Sequence, residues 1–117
     1  VHVPARRVLF VCSRNRRRSP TAESVARRWR GVDALSAGTA PDADLRVSAD
    51  LVEWADVVVA FEDRHRRRLA EAFGPLLRDT PVHVLGIPDD YAFRDPALVE
   101  TLRARLPGLL GVEAPPA

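Results

Sequence analysis

Cys12 is the only cysteine in the 117 residues, and it stands between two segments of opposite character. Before it run Val8-Leu9-Phe10-Val11, four apolar residues of the kind strands favour; after it come Ser13-Arg14-Asn15-Arg16-Arg17-Arg18-Ser19-Pro20-Thr21-Ala22-Glu23. A strand, an arginine-dense turn and a helix start in that order make an anion site, because unpaired N–H groups of the turn and of the first helical residues converge there. The same groups, with the guanidinium charges, stabilise the thiolate, which is the nucleophilic form of cysteine. Arg18, six residues after Cys12, can fold back and hold two phosphoryl oxygens through its planar fork. Attack of sulfur on phosphorus in such a site calls for no metal. It does call for an acid to protonate the leaving oxygen, and a carboxyl on a facing loop can serve.

The elements that position these groups follow from apolar patterning. Arg6–Val11 reads as a buried strand, since it lacks polar alternation. Ser19 as N-cap and Pro20 at the first helical position predict a helix to about Arg30, with Ala22, Val25, Ala26 and Trp29 facing the sheet. Further strands are expected at Ala34–Ala37, Val57–Phe61 and Val82–Leu85. Further helices are expected at Ser48–Ala55, from Asp63 to Phe73, and from Asp95-Pro96 to Leu106, with Ser48, Asp63 and Asp95 as their caps. Short apolar strands alternating with helices imply a three-layer, doubly wound α/β sandwich with a four-stranded parallel sheet. Ligands of such sheets bind beyond the carboxyl ends of the strands. The loop after the first strand and the loop Ile87–Arg94, with Asp89, Asp90 and Tyr91, share that edge. One of the two aspartates can therefore face Cys12 across a cleft.

All 18 basic residues are arginine, yet the formal net charge is only +2. The charge gathers at Arg14/Arg16/Arg17/Arg18 and at Arg64/Arg66/Arg67/Arg68, a distribution that suits a small anionic site rather than a surface coated by nucleic acid. The second cluster reads as a solvated helix face. One cysteine and three scattered histidines give no metal-ligand cluster and no internal disulfide, which points to a reducing, cytoplasmic setting. No signal peptide and no membrane span is read in the chain. Residues 1–5 are expected to fray, and Glu113–Ala117 to be disordered.

The ordered set of motifs resembles the low-molecular-weight protein tyrosine phosphatase family. Cys12 with Arg18 and Ser19, Asn15 within the loop, and Ser19-Pro20-x-Ala22-Glu23 after it carry the likeness. Ser36-Ala37-Gly38-Thr39, Glu62-x-x-His65 and Asp89-Asp90-Tyr91 continue it in the same order along nearly the whole chain. The resemblance implies a flavodoxin-like fold of the phosphotyrosine phosphatase type, a single phosphatase domain over residues 1–112, and no cofactor. By position, Cys12 would be the nucleophile that forms a phosphocysteine, and Arg18 would hold the phosphate and stabilise the transition state. Asn15 would keep the loop shape, Ser19 would hydrogen-bond the sulfur, and Asp89 would be the acid, with Tyr91 at the aromatic position. Ser13, Arg14, Asn15, Arg16, Arg17, Ser19 and Tyr91 make up the expected phosphate- and substrate-binding set, in which Arg14, Arg16 and Arg17 are rim charges. The implied partners are a phosphorylated protein, phosphotyrosine foremost, or another phosphomonoester, and inorganic phosphate, with no nucleic acid and no membrane.

The sequence departs from the family at several points. Arg14 replaces a usual glycine, Arg17 a common second cysteine, and Asp90 the proline of the Asp-Pro-aromatic triplet. The stretch from Thr39 to Ser48 is short and lacks the aromatic side chain that walls the family's substrate pocket. Three rivals accompany the phosphatase reading. One is an arsenate reductase, which needs resolving cysteines that this chain lacks. The others are a phosphatase for phosphoarginine or a small metabolite, and a non-catalytic anion sensor.

Overall fold

Val8, Leu9, Phe10 and Val11 are wholly shielded from solvent, and the strand that holds them is the axis of the sheet. The computed structural model describes residues 5–113. The expectations for a frayed lead-in and a disordered tail fall, but for one residue each, outside the described residues. β1 (Arg6–Cys12) pairs in parallel with β2 (Val32–Gly38) on one side and with β3 (Val57–Ala60) on the other. β4 (Val82–Val84) adds to β3, giving the order β2-β1-β3-β4. The chain thus leaves β1 first to one side and then to the other. That makes the carboxyl ends of β1 and β3 the switch point where doubly wound sheets take their ligands.

Side chains alternate across β1 and so feed two cores. Val8, Phe10 and Cys12 join Val57, Val59 and Phe61 against α1 (Arg18–Ala26) and α4 (Pro96–Leu110). Leu9, Val11 and Val58 face α2 (Ala49–Trp54) and α3 (Asp63–Phe73), through Val52 and Leu69. Helices therefore cover both faces, as the expected three-layer sandwich requires.

Several boundaries differ from the sequence reading. α1 stops at Ala26 rather than Arg30; a turn closed by the Trp29 N–H on the Ala26 carbonyl (2.9 Å) carries Trp29 into the core. Its N-cap is Arg17, not Ser19, because the Ser19 hydroxyl is turned inward to Cys12. The N-cap of α3 is Glu62 rather than Asp63, with the His65 ring accepting the Glu62 N–H. The expected caps Ser48 and Asp95 accept the N–H groups of Leu51 and Ala97. α4 runs through Pro107 to Leu110 instead of ending at Leu106. A proline inside a helix costs about 3 kcal/mol. Beyond the proline, Leu110 completes the fully buried stripe of Leu98, Leu102 and Leu106, and Leu109 and Val112 pack against the same core; a buried leucine is worth about 1.5–3 kcal/mol, so burial past Pro107 offsets the break.

Candidate active site

The loop after β1 is shaped from outside by the segment 39–47. The N–H groups of Thr39, Ala40 and Asp44 donate to the carbonyls of Cys12 (3.0 Å), Ser13 (2.9 Å) and Arg14 (3.1 Å). Across a planar trans peptide the N–H lies opposite the carbonyl. The N–H groups of Ser13, Arg14 and Asn15 therefore point away from that segment. Gly38 permits the close approach: a Cβ there would run into the Ser13 carbonyl oxygen and lie 2.7 Å from the Ala43 Cβ. Asn15 takes a left-handed backbone (φ 58°), which turns the loop back toward α1.

Inside the loop a polar chain fixes the sulfur. The Ser36 hydroxyl donates to Glu23 Oε1 (2.9 Å) and accepts from Asn15 Nδ2 (2.8 Å). Asn15 Nδ2 also donates to Ser19 Oγ (3.0 Å), and Ser19 Oγ lies 2.9 Å from Cys12 Sγ. With an amide donor already on its oxygen, the Ser19 hydroxyl has its proton free for the sulfur, the Ala37 carbonyl at 3.3 Å being the longer alternative. Cys12 lies buried at the cleft's floor, and Ser19 is fully enclosed.

Arg18 is 1% exposed. Its Nη1 donates to Glu62 Oε1 (2.6 Å) and to the Ile87 carbonyl (2.7 Å), and its guanidinium carbon lies 5.8 Å from the Phe61 ring centroid. Arg18 Nε is the one buried side-chain nitrogen or oxygen among the described residues with no hydrogen-bond partner. Asp89 Oδ1 faces it at 3.6 Å, beyond hydrogen-bond length. Hydrogen bonding from Arg64 and then Arg18 holds the Glu62 carboxyl well below the usual range, at about 2, so Glu62 is a fixed anion. Burial above all, with the Arg18 and Arg64 charges adding to it, pushes the His65 imidazole down to about 4. Its Nδ1 accepts the Glu62 N–H (3.0 Å), so the neutral ring carries its proton on Nε2 and donates to Ser13 Oγ at 2.9 Å.

Cys12, Ser13, Arg14, Arg16, Arg17, Arg18 and Asp89 line a cleft of about 120 Å³. Arg14 and Arg16 are tethered outward to Asp42 (3.7 Å) and Asp44 (3.1 Å). Asn15 and Ser19 lie behind the wall as supports. Tyr91 is half-buried against the core and is not among the lining residues, and Asp90 is exposed outside the cleft. Among the described residues no aromatic side chain lines the cleft. In the second arginine cluster, Arg66 and Arg67 pair with Asp63 on the α3 surface, whereas Arg64 reaches back to Glu62.

Sequence reasoning gave no role to Glu62, to Ser36 or to the backbone of segment 39–47. Glu62 had a usable signal, because a carboxylate directly after β3 must stand at the same sheet edge as Cys12. No local pattern names a partner for His65; its partners are Ser13 and the Glu62 N–H.

The fold is that of the low-molecular-weight protein tyrosine phosphatases. SP-PTP, a low-molecular-weight protein tyrosine phosphatase from Streptococcus pyogenes, aligns with a TM-score of 0.72 at 16% identity, over 91% of this chain and 91% of its own. The YwlE arginine phosphatase from Geobacillus stearothermophilus aligns with a TM-score of 0.70 at 22% identity, over 91% of this chain and 93% of its own. Wzb from Vibrio vulnificus, in complex with benzylphosphonate, gives 0.66 at 22% identity, over 85% and 90%. No family model and no curated protein sequence matches the chain.

Proposed function

We propose that this chain is a cysteine-dependent phosphatase of the low-molecular-weight type, a hydrolase of phosphomonoesters that works through a phosphocysteine, with phosphotyrosine proteins as its leading substrate class. The observation that carries the reading is the placement of Cys12 Sγ at the floor of a cleft. There the sulfur takes a hydrogen bond from Ser19, and a buried, carboxylate-anchored Arg18 turns its unpartnered Nε toward Asp89.

The steps follow from that arrangement. The phosphoryl oxygens sit among the inward N–H groups of the loop and the Arg18 fork. The Cys12 thiolate attacks phosphorus in line with the ester oxygen, and the S–P bond forms as the P–O bond breaks. Asp89, as a carboxylic acid, gives its proton to the departing alkoxide or phenoxide. The Asp89 carboxylate then takes a proton from water, which attacks the phosphocysteine and releases inorganic phosphate and the thiolate. The Ser19 hydroxyl stabilises the sulfur anion at the start and as it leaves again. Glu62 acts through Arg18 as a positioning residue.

A second substrate class, phosphoarginine or a small phosphorylated metabolite, is favoured by one observation: among the described residues the wall of the cleft is arginine and aspartate, with no ring for a phenyl group to pack on. Steady-state assays on phosphotyrosine peptides, phosphoarginine and aryl phosphates decide between the classes. Wild type should turn over at least one of them, and Cys12→Ser and Arg18→Lys should turn over none. Binding of phosphate with no turnover of any phosphomonoester would make the chain the anion sensor instead.

A further inference from the structure

A second cleft, of about 230 Å³, lies on the α1/α4 face. Three arginines from three elements meet there: Arg28 from the turn after α1, Arg94 from the loop before α4, and Arg103 from α4. Among the described residues none of the three has an ion pair, and no acidic residue lines the cleft. The other two arginine clusters are compensated in part, Arg14 and Arg16 by Asp42 and Asp44, Arg66 and Arg67 by Asp63, with Arg17 and Arg68 left without an ion pair among the described residues. Gathering three like charges without a counter-charge works against folding. The floor between them is apolar, made by Val25, Trp29 and Val99.

The backbone supplies a separate observation. Only two non-glycine residues among those described have positive φ, Asn15 in the loop after β1 and Arg94 at 60°. Glycine or asparagine fits such a conformation at less cost, and strain of this kind collects at ligand clamps. The Arg94 N–H is also tied into the site described above. It donates to Thr21 Oγ1 (2.8 Å), which donates to the Arg17 carbonyl (2.6 Å) at the end of the Cys12 loop.

From the three uncompensated arginines, the apolar floor and the left-handed Arg94, we infer that this cleft binds a small aromatic anion. Its ligand is a single flat ring system bearing one phosphate, sulfonate or carboxylate group. A cavity of about 150 Å³ takes benzene, so the space here admits a ring together with its anionic substituent. The ring lies on Val25, Trp29 and Val99, and the anionic group is held between the guanidinium groups. Among the described residues the one hydroxyl lining the cleft is that of Ser24, which donates to the Thr21 carbonyl (2.8 Å) and has no histidine or carboxylate in the lining to activate it, so the ligand is bound and left unchanged.

Naphthalene-2-sulfonate is a suitable probe, since it has no phosphoryl group to transfer. Titrated into 15N-labelled protein, it should cause saturable shifts of the Trp29 indole N–H and of the Arg94 and Thr21 amides, with a Kd below about 1 mM. Neutral 2-naphthol should not reproduce them. Arg94→Gly removes the charge and relieves the backbone, so it should weaken binding about tenfold or more with Tm unchanged or raised. Arg28→Gln and Arg103→Gln, which leave the backbone alone, should each weaken it too. Shifts confined to residues 12–19, equal binding of 2-naphthol, or affinity unchanged in all three arginine variants would overturn the assignment.

Discussion

Glu62 Oε1 lies 2.6 Å from Arg18 Nη1, joining the second residue after β3 to the first residue of α1. This contact, with the Ile87 carbonyl at 2.7 Å, fixes one edge of the guanidinium and leaves Nε facing the cleft. Removing the carboxylate strips a buried cation of its closest counter-charge. Glu62→Ala should lower kcat/KM on an aryl phosphate by about 10–100-fold, the worth of a charged hydrogen bond. Glu62→Gln, which keeps an acceptor, should lie between. Wild-type kinetics in both variants would show that Arg18 is positioned by other means.

Gly38 offers a test of the outer scaffold. A methyl group there collides with the Ser13 carbonyl and Ala43, so Gly38→Ala must push segment 39–47 off the loop that it shapes. Over-packing of this kind costs about 1–3 kcal/mol. The midpoint in a urea titration should fall accordingly, and phosphate affinity should fall with it, although residue 38 touches no substrate. A stable Gly38→Ala with unchanged phosphate affinity would contradict the role given to that segment.

His65 sets a pH dependence of stability. Its imidazole titrates near 6.5 when unfolded and only at about 4 in the folded chain. Between those values the unfolded state binds more protons, so stability rises with pH. The contribution is fully present above about pH 6.5 and is lost as pH falls toward 4; at about 1.4 kcal/mol per pKa unit it amounts to roughly 3 kcal/mol. Urea midpoints of wild type should decline over this window, and those of His65→Gln should decline much less. Parallel curves for the two proteins would rule out His65 as the source.

Much of this was readable from residues close together in sequence. Cys12, Asn15, Arg18 and Ser19 fall within one loop and the first turn of one helix, so spacing alone brings them together, and the alternation of apolar strands with helices gave the layers. What escaped were partners 44 and 52 residues apart, Glu62 on Arg18 and His65 on Ser13, because no local pattern records a tertiary contact. Serine before proline reads locally as a cap, and the family resemblance gives Ser19 a hydrogen bond to the sulfur; its hydroxyl lies on the sulfur, and the cap position falls to Arg17. At Pro107 the local rule for ending a helix lost to the leucine stripe that continues beyond it.

Asp89 and Asp90 are neighbours in sequence but not in place. Asp89 lines the cleft and faces Arg18, and Asp90 is exposed outside it. Asp89→Asn should slow hydrolysis of phenyl or alkyl phosphates by about 10²–10⁴-fold, the usual worth of a general acid. It should slow nitrophenyl phosphate less, since that leaving group departs readily as an anion. Asp90→Asn should change neither rate appreciably. A leaving-group-dependent defect in Asp90→Asn alone would move the acid to that residue.

The central claim is that Cys12 carries the phosphoryl group. Rapid mixing of the protein with an aryl phosphate, quenching in acid and peptide mass analysis measure it directly. The predicted result is one phosphoryl group on the Cys12 sulfur, formed within a single turnover and accumulating further in Asp89→Asn when breakdown of the intermediate is the slower step. Cys12→Ser should remain folded and bind phosphate without turnover. Sustained hydrolysis by Cys12→Ser, or turnover of wild type with Cys12 never modified, would contradict the account.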